Sequence, residues 1–285
     1  AHDLGTYPIA NGQVYAADMP LEEAGNMITL MAQIAMIEGN TRYAERYWDL
    51  LQLWADYLVD NGQDPVNQLC TDDFAGHWAH NSNLAVKAIM GVAGFGLLAQ
   101  MRGDKATADR YLAKAREMGA QWEKDAREGD HYKLAFDRPD TWSQKYNIIW
   151  DKIWGTNVFS PKVIDRELKY YLTKQNKYGL PLDSRKDYTK TDWIMWTAAM
   201  AKDTKTFLQF VDPVYDYIHE TPSRVPISDW SNTKTAKMQG FKVNLEASSN
   251  SSGLFGVSPQ ISYYHKNIFN GGEWLNLSFM GNFQF

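Results

Sequence analysis

Apolar and polar positions alternate along most of this chain in a way that predicts pairs of helices, a very apolar helix followed by an amphipathic one. The first pair runs roughly from Leu21 to Asp60 and the second from Ser82 to Arg127. The third runs roughly from Gln144 to Gln175 and the fourth from Thr191 to His219. Recurring helical hairpins of this kind are typical of concentric helical rings and stacked solenoids.

The first two pairs show why inner and outer helices are expected. Met27 to Ile37 is almost wholly apolar, which suits a helix buried on several faces. Its partner places apolar side chains on one stripe only, as an outer helix does. In the second pair Gly91, Gly94 and Gly96 would weaken an isolated helix, but they let neighbouring helices approach closely. We therefore expect a mainly α fold of inner and outer helices.

The pattern changes after Gly240, where Ser, Asn and Gly become frequent. From Leu275 to Phe285 apolar and polar residues alternate with a period of two, which predicts a strand with one apolar face. Val257 to Lys266 is the expected preceding strand, and Asn270-Gly271-Gly272 the turn between them. The chain therefore divides into a helical domain, residues 1–241, and a short C-terminal β-hairpin tail, residues 242–285.

The tail run YYHKNIFNGGEWLNLSF resembles a hairpin of the BamA/TamA-type outer-membrane barrels. Two strands cannot span a membrane alone, because their edges would be unpaired in lipid. Three interpretations stay open: a hairpin packed on the helical body, sequence joined from a different protein, or a strand pair that completes another chain's sheet. Outer-membrane association is expected only through this tail.

Composition narrows the classes of function. The 285 residues carry a net charge of −5 without a basic stripe, so nucleic acid is not an expected partner. The lone Cys70 excludes a disulfide framework within the chain and a cysteine metal cluster. Aromatic residues make up 14% of the chain, which fits carbohydrate-handling proteins and aromatic-packed cores equally well. Charges interrupt every long apolar stretch, so no transmembrane helix is expected.

Acidic and aromatic residues recur in the loops before the inner helices. Helix N-termini that point to one centre offer partial positive charge and free N–H groups, so these loops predict a pocket at one rim. The candidate catalytic residues are Glu22, Glu23, Asp73 and Asp192. The candidate substrate-binding residues are Asp72, His77, Trp78, His80, Trp142, Trp193, Asp229 and Trp230.

The carboxylates each have a structural and a chemical interpretation. Glu22 and Glu23 are either a base that activates water or first-turn glutamates that the helix dipole favours. A general acid needs a more desolvated carboxyl group, for which Asp73 and Asp192 are the candidates.

The histidines and tryptophans are equally open. His77 and His80 match no standard zinc spacing, so we expect hydrogen bonds to substrate or loop there, with no metal and no cofactor. The loop tryptophans are either stacking platforms or wedges between helices.

Five motifs, in order along the chain, resemble the six-hairpin domain of the glutaminase A family: HDLGTYP, DMPLEEAGNM, DDFAGHWAHNSNLAVKAI, WDKIWG and KTDWIMWTAAM. The resemblance runs from about His2 to Gly240 and implies an (α/α)6 toroid, similar to that of glycoside hydrolase clans. Four hairpins are predicted where the toroid needs six, so we expect a ring that is incomplete at its N-terminal side.

The same resemblance implies a setting for the protein. The family occurs in fungi and gut Bacteroidetes, and its members usually carry an upstream β-rich domain and are exported. The chain begins without methionine, as an excised or mature fragment does. We therefore expect a secreted, periplasmic or cell-surface protein whose upstream partner domain is missing from this sequence.

Three functions remain open at this point. The resemblance implies a hydrolase that converts glutamine to glutamate and ammonia through carboxylate-assisted attack of water, with loop donors stabilising the oxyanion. The acid pairs and tryptophans fit a glycoside hydrolase on the same scaffold, since a fold does not fix chemistry. The third is a non-catalytic helical module that binds carbohydrate or protein. The first two take a small-molecule substrate, glutamine or a saccharide.

Overall fold

The computed structural model describes residues 18–70, 75–221, 230–236, 239–249, 255–266, 274–280 and 283–284. Within these residues the helices form the four predicted pairs. The inner helices are α1 (Pro20–Glu38), α4 (Ser82–Arg102), a 3₁₀ turn (Tyr146–Ile148) that continues into α6 (Ile149–Trp154), and α8 (Thr191–Ala199). The outer helices are α3 (Trp48–Asn61), α5 (Lys105–Ala126), α7 (Pro161–Leu172) and α9 (Thr204–Glu220), and the short α2 (Arg42–Glu45) lies between α1 and α3.

Helix α4 forms the centre of the core. It contacts α1 and the 3₁₀ turn on the inner side and α3 and α5 on the outer side, and nearly all of its residues are buried. The outer helices bury a single stripe; in α5 this stripe includes Tyr111, Ala115, Met118 and Trp122. The 3₁₀ turn in turn contacts α8. The mainly α prediction is therefore confirmed: the described hairpins form an arc of inner helices with outer helices behind them.

The length and apolar composition of α4 also suit a membrane-spanning helix, and α4 is the one helix of the described ranges for which this holds. In this fold 83% of its most apolar window is buried against the rest of the chain. A helix in the core of a protein satisfies the same criteria. The burial of α4 is that of a core helix.

Glycines let α4 pack closely, as expected. A Cβ at Gly91 would lie 2.5 Å from Leu58 Cδ1 and 3.2 Å from the Cα of Gly25 in α1. A Cβ at Gly94 would lie 3.2 Å from the Trp154 ring. The absence of a side chain at Gly91 therefore sets the distance between α1 and α4.

The third hairpin is held by a fully buried ion pair. Lys145, just before the 3₁₀ turn, places its Nζ 3.6 Å from Glu167 Oε2 on α7, and the side chains are 0% and 1% exposed. Lys145 also donates to the carbonyl oxygen of Ser143 at 2.9 Å, and the Tyr171 hydroxyl donates to Glu167. Burial raises the pKa of Glu167, and the Lys145 charge opposes that rise. These bonds fix where the inner segment of this hairpin begins.

Short antiparallel strands connect the loops that precede the inner helices. Strand β1 (Arg127–Glu128) pairs with β2 (His131–Tyr132), and β3 (Tyr188–Lys190) pairs with β4 (Trp230–Asn232). The second pair places Lys190 opposite Trp230, directly before α8.

The tail is an antiparallel sheet with more strands than the predicted hairpin. Strand β6 (Phe255–Lys266) pairs with β7 (Trp274–Met280) and β8 (Phe283–Gln284), as the expected hairpin requires, and also with β5 (Gln239–Ser249). Leu277 and Phe279, on the predicted apolar face, are 46% and 71% exposed. The domain boundary at residue 241 and the barrel resemblance stay predictions.

Apolar side chains are exposed on α1 and α3, at the first edge of the arc. Leu30 and Ile37 on α1 are 53% and 84% exposed, and Leu53 on α3 is 64% exposed. The expectation of a ring that is incomplete at its N-terminal side stays a prediction.

Replacing Gly91 with alanine tests the close approach of α1 and α4. We expect Gly91→Ala to lower the free energy of unfolding by about 1–2 kcal/mol, because overpacking against Gly25 and Leu58 outweighs the gain in helix propensity. Gly94→Ala is the matched control, and we expect it to change that free energy by less than about 1 kcal/mol, since its contacts are looser. Urea unfolding of both variants gives the comparison; equal effects would contradict the packing described here.

Candidate functional site

The first turn of α1 carries a buried charge. Glu22 is 2% exposed, and its Oε1 lies 2.7 Å from Nζ of Lys87, which projects from α4 and is 5% exposed. Asn26, one turn further along α1, bridges the pair: its Nδ2 donates to Glu22 Oε1 at 3.2 Å, and its Oδ1 accepts from Lys87 Nζ at 2.7 Å. A buried carboxylate and ammonium compensate each other only in such close, hydrogen-bonded geometry.

The start of α1 is itself fixed by the loop before α4. The backbone N–H of Leu21 donates to Gln68 Oε1 at 3.0 Å, and the N–H of Leu69 donates to the Asp18 carbonyl oxygen at 3.1 Å. These two hydrogen bonds therefore fix the position of the first turn of α1, which places the Glu22 side chain opposite Lys87. Glu23, the next residue, is exposed.

A cavity of about 150 Å³ lies beside this charge pair, between the inner helices. One face of α1 lines it with Asn26, Leu30 and Gln33. Across from α1 the lining comes from α4, the 3₁₀ turn, α6 and α8, and it consists of Lys87, Asn147, Trp150 and Trp196. The cavity thus has polar groups on two sides and indole rings on a third.

Sequence reasoning missed these lining residues. Lys87 had a visible signal, because it is the single charged residue between Leu84 and Leu98. Trp150 and Trp196 lie inside two of the motifs that carry the family resemblance, but nothing in their spacing separates them from core tryptophans. Asn147 gave no signal.

The loop residue Trp78 lies between two arginines. The guanidinium carbons of Arg138 and Arg185 are 5.0 and 4.9 Å from the centre of its ring. Arg185 is itself held by Asp183, with Nη2 2.7 Å from Oδ2, and it donates to the Gly76 carbonyl oxygen. Trp78 therefore joins three loops together through cation–π contacts. Its predicted role in substrate binding stays a prediction.

The two loop histidines differ in surroundings. His80 Nδ1 lies 2.7 Å from Asp64 Oδ1, and this hydrogen bond raises the pKa of His80 above its ordinary value. His77 is partly buried. Among the residues whose placement is described, no group of three or more His, Cys, Asp or Glu side chains could hold a metal ion.

Trp142 and Trp193 pack within the fold. Trp142 is 7% exposed and lies 6.0 Å from the Tyr171 ring. Trp193 is 9% exposed and stacks on Tyr146 at 4.1 Å with a 3° interplanar angle. These positions match the wedge interpretation, in which the rings hold the third and fourth hairpins together.

Asp192 and Trp230 stay accessible near the start of α8. Asp192 is partly exposed, with Oδ2 3.6 Å from Lys190 Nζ. Trp230 is 44% exposed and lies 4.7 Å from the Tyr188 ring. The cavity beside Lys87 is lined by neither of them and not by Glu23. The remaining candidates, Asp72, Asp73 and Asp229, lie outside the described residues.

Comparison with known proteins gives the family. The model of the glutaminase A six helical-hairpin domain matches residues 1–256, across the whole helical region. This chain belongs to that family, the class of protein that the inner and outer hairpins define.

Two relatives carry related names. Glutaminase A of Aspergillus oryzae (strain ATCC 42149 / RIB 40) is 34% identical over 241 residues, which cover 82% of this chain and 35% of the relative. A protein named probable glutaminase, from Arthroderma benhamiae (strain ATCC MYA-4681 / CBS 112371), is 29% identical over 227 residues, 68% of this chain and 26% of the relative. The chain thus spans about a third or less of the length of these relatives.

The buried pair predicts strong coupling between Glu22 and Lys87. Lys87→Met should lower the free energy of unfolding by about 3–5 kcal/mol, because Glu22 is left as an uncompensated buried charge. The double variant Glu22→Gln/Lys87→Met should cost clearly less than the sum of the two single variants. Urea unfolding of all four proteins measures this coupling, and additive losses would show that the two side chains do not interact.

The His80 contact predicts a pH effect. Since the folded pKa of His80 is raised, the stabilisation from its charged form is fully present below about pH 6.5 and is lost as the pH rises through the raised pKa. NMR titration of the His80 ring should show this elevated pKa, and Asp64→Asn should lower it. A titration midpoint that Asp64→Asn leaves unchanged would rule out the contact as its cause.

Proposed function

We propose that this chain carries the helical share of an active site that hydrolyses a carbon–nitrogen amide bond, converting glutamine to glutamate and ammonia. The observation that carries the proposal is the family membership together with a relative named glutaminase A at 34% identity over 82% of the chain. Because the chain spans only 35% of that relative, the activity of the whole relative is extended to this chain only as a proposal.

The reaction needs three kinds of group. Water adds to the amide carbon and gives a proton to a base; the carbonyl oxygen gains negative charge; and the C–N bond breaks as the nitrogen takes up a proton and leaves as ammonia. A hydrogen-bond donor fixed at the oxygen stabilises the transition state most effectively in a site that excludes water.

Lys87 is the proposed donor to the carbonyl oxygen. Its ammonium lines the cavity and is held in place by Glu22 and Asn26, each at 2.7 Å from Nζ. Glu22 is then a positioning residue, because its Oε1 is already engaged by Lys87 and Asn26. This assignment departs from the expectation that Glu22 acts as the base.

The proposed base is a carboxylate at the start of an inner helix. Glu23 lies one helical turn before Asn26 on α1, and Asp192 one turn before Trp196 on α8, so each is at the end of a helix face that lines the cavity. Glu23 is exposed and Asp192 partly exposed, so both can reach water, as a base must. Asp73 is retained as the proposed acid, and the accessible Trp230 as a contact for substrate. The substrate is a small molecule, and export of the protein remains part of the proposal.

Ammonia release from glutamine by the purified chain tests the proposal. Glu23→Gln or Asp192→Asn should lower kcat about 10²–10⁴-fold with the near-UV circular dichroism unchanged, because general-base catalysis contributes that much. Glu117→Gln, an exposed carboxylate on the outer helix α5, is the matched control and should leave kcat unchanged.

Two results would overturn the proposal. The first is release of reducing sugar from a panel of glycosides without release of ammonia from glutamine, which is the outcome that a glycoside hydrolase gives. The second is ligand binding that persists in the double variant Glu22→Gln/Glu23→Gln, with no turnover by either protein. A binding module gives this outcome.

A further inference from the structure

The four strands of the tail form a sheet whose two faces differ in composition. Strand β5 pairs with β6 along its whole length, and β6 pairs with β7 and β8 on its other side. Residues that pair directly in an antiparallel sheet lie on the same face of it. One face, here called the apolar tail face, therefore carries rows of apolar residues that cross three strands, and the two central rows are Val243, Ile261 and Phe279, and Phe241, Tyr263 and Leu277.

The charged residues of these strands occupy the other face. Lys242 pairs with Ser262, and Ser262 pairs with Ser278, so this neighbouring row is polar across three strands. Glu246 and Lys266 fall on polar rows of the same face. In the four described strands, no Asp, Glu, Lys or Arg therefore lies on the apolar tail face. Two such faces can meet without burying a charge, which would be costly.

Part of the apolar tail face is uncovered. Leu277 and Phe279 are 46% and 71% exposed, and the main contacts of the tail strands are with one another. An antiparallel sheet with one apolar face is stable in water when that face packs against another layer. The described helices do not provide this layer at β7, so we looked for a layer outside the chain.

The edges of the sheet distinguish a protein layer from a lipid layer. In the described structure β5 forms one edge, and β7 and β8 form the other. Hydrocarbon offers no partner for the N–H and C=O groups of an open edge, so such edges are not found in lipid. A second sheet packed on the apolar tail face leaves both edges in contact with water. The open edges therefore favour a protein partner.

The size of the face suits a dimer. Strands β5 and β6 are 11 and 12 residues long. At the usual strand rise and spacing, the face is about 40 Å long and about 14 Å wide. Two copies would together bury roughly 1,100 Å² or more, which is at the low end of the range for specific interfaces. An interface of this size is expected to give a dimer of moderate affinity.

We propose that this chain forms a dimer in which the apolar tail face packs against the same face of a second copy. A two-fold axis makes the interface self-complementary, because each copy contributes the same apolar rows and the same length of strand. The two sheets form a sandwich with a shared apolar layer between them, and the charged faces stay in water. This inference is independent of the proposed hydrolysis of glutamine.

Sedimentation equilibrium of the full chain tests the dimer. The unmodified chain should pass from monomer to dimer as its concentration rises through the micromolar range. Phe279→Lys should raise the dissociation constant of the dimer at least about 100-fold, because it places an unpaired ammonium group between two apolar faces. Ser278→Lys is the matched control: it adds the same charge at the next position of β7, on the polar face, and should leave the dissociation constant unchanged.

Methyl NMR of the unmodified chain locates the interface without a substitution. The methyl signals of Leu277 should shift as the protein concentration rises, with the midpoint that sedimentation gives. Those of Leu53, which is 64% exposed on α3, should not shift. Far-UV circular dichroism shows whether each variant retains its sheet. If Phe279→Lys loses the sheet, the Leu277 signals decide the question.

Four results would overturn the proposal. The first is a chain that stays monomeric at millimolar concentration. The second is equal weakening of the dimer by Phe279→Lys and Ser278→Lys. The third is a dimer whose formation shifts the signals of Leu53 and not those of Leu277. The fourth is a monomeric chain that binds phosphatidylcholine vesicles and loses this binding in Phe279→Lys, which would assign the apolar tail face to lipid.

Discussion

The buried pair between Glu22 and Lys87 is the interaction on which the rest of this structure depends. It joins the first turn of α1 to α4, the most buried helix, and it fixes an ammonium group at the edge of the cavity. The pair exists only because the two helices approach closely: a Cβ at Gly25 would lie 2.7 Å from Cγ of Lys87. The packing of α1 against α4 and the position of the buried charges therefore depend on each other, and a change in either disturbs both.

Hydrogen bonds and cation–π contacts connect the loops at the starts of the inner helices. The N–H of His80 donates to the carbonyl oxygen of Pro65, and the N–H of Phe136 donates to that of His80. With the arginines on either side of Trp78, these bonds link the ends of successive hairpins. A rim that is joined in this way can hold side chains at fixed positions around a substrate, as preorganised sites require.

Much of the fold follows from the sequence, because the buried face of a helix is visible as a stripe of apolar residues. The four hairpins and the two later strands of the tail were predictable for that reason. The cap was less predictable: Asn81 caps α4 through its Oδ1, which accepts from the backbone N–H of Asn83. Strand β5 (Gln239–Ser249) was missed, although its residues from Phe241 to Ser248 alternate between apolar and polar as clearly as those of the last strand.

The candidate site was predictable only in part. First-turn acids such as Glu22 stand out in a sequence, but whether they face inward or outward depends on where the neighbouring helix lies. Here Glu22 is buried and Glu23 is exposed, a distinction that spacing alone cannot make. Asn147 illustrates the limit: an asparagine beside an apolar run carries no mark of an unpaired oxygen, which arises only when the inner helices come together.

The most direct test of this account is the ¹⁵N signal of the Lys87 ammonium group, observed by NMR in a lysine-labelled sample. We predict slow hydrogen exchange, because Nζ is buried and bonded to Glu22 and Asn26. Exchange as fast as that of the exposed Lys205 would contradict this prediction.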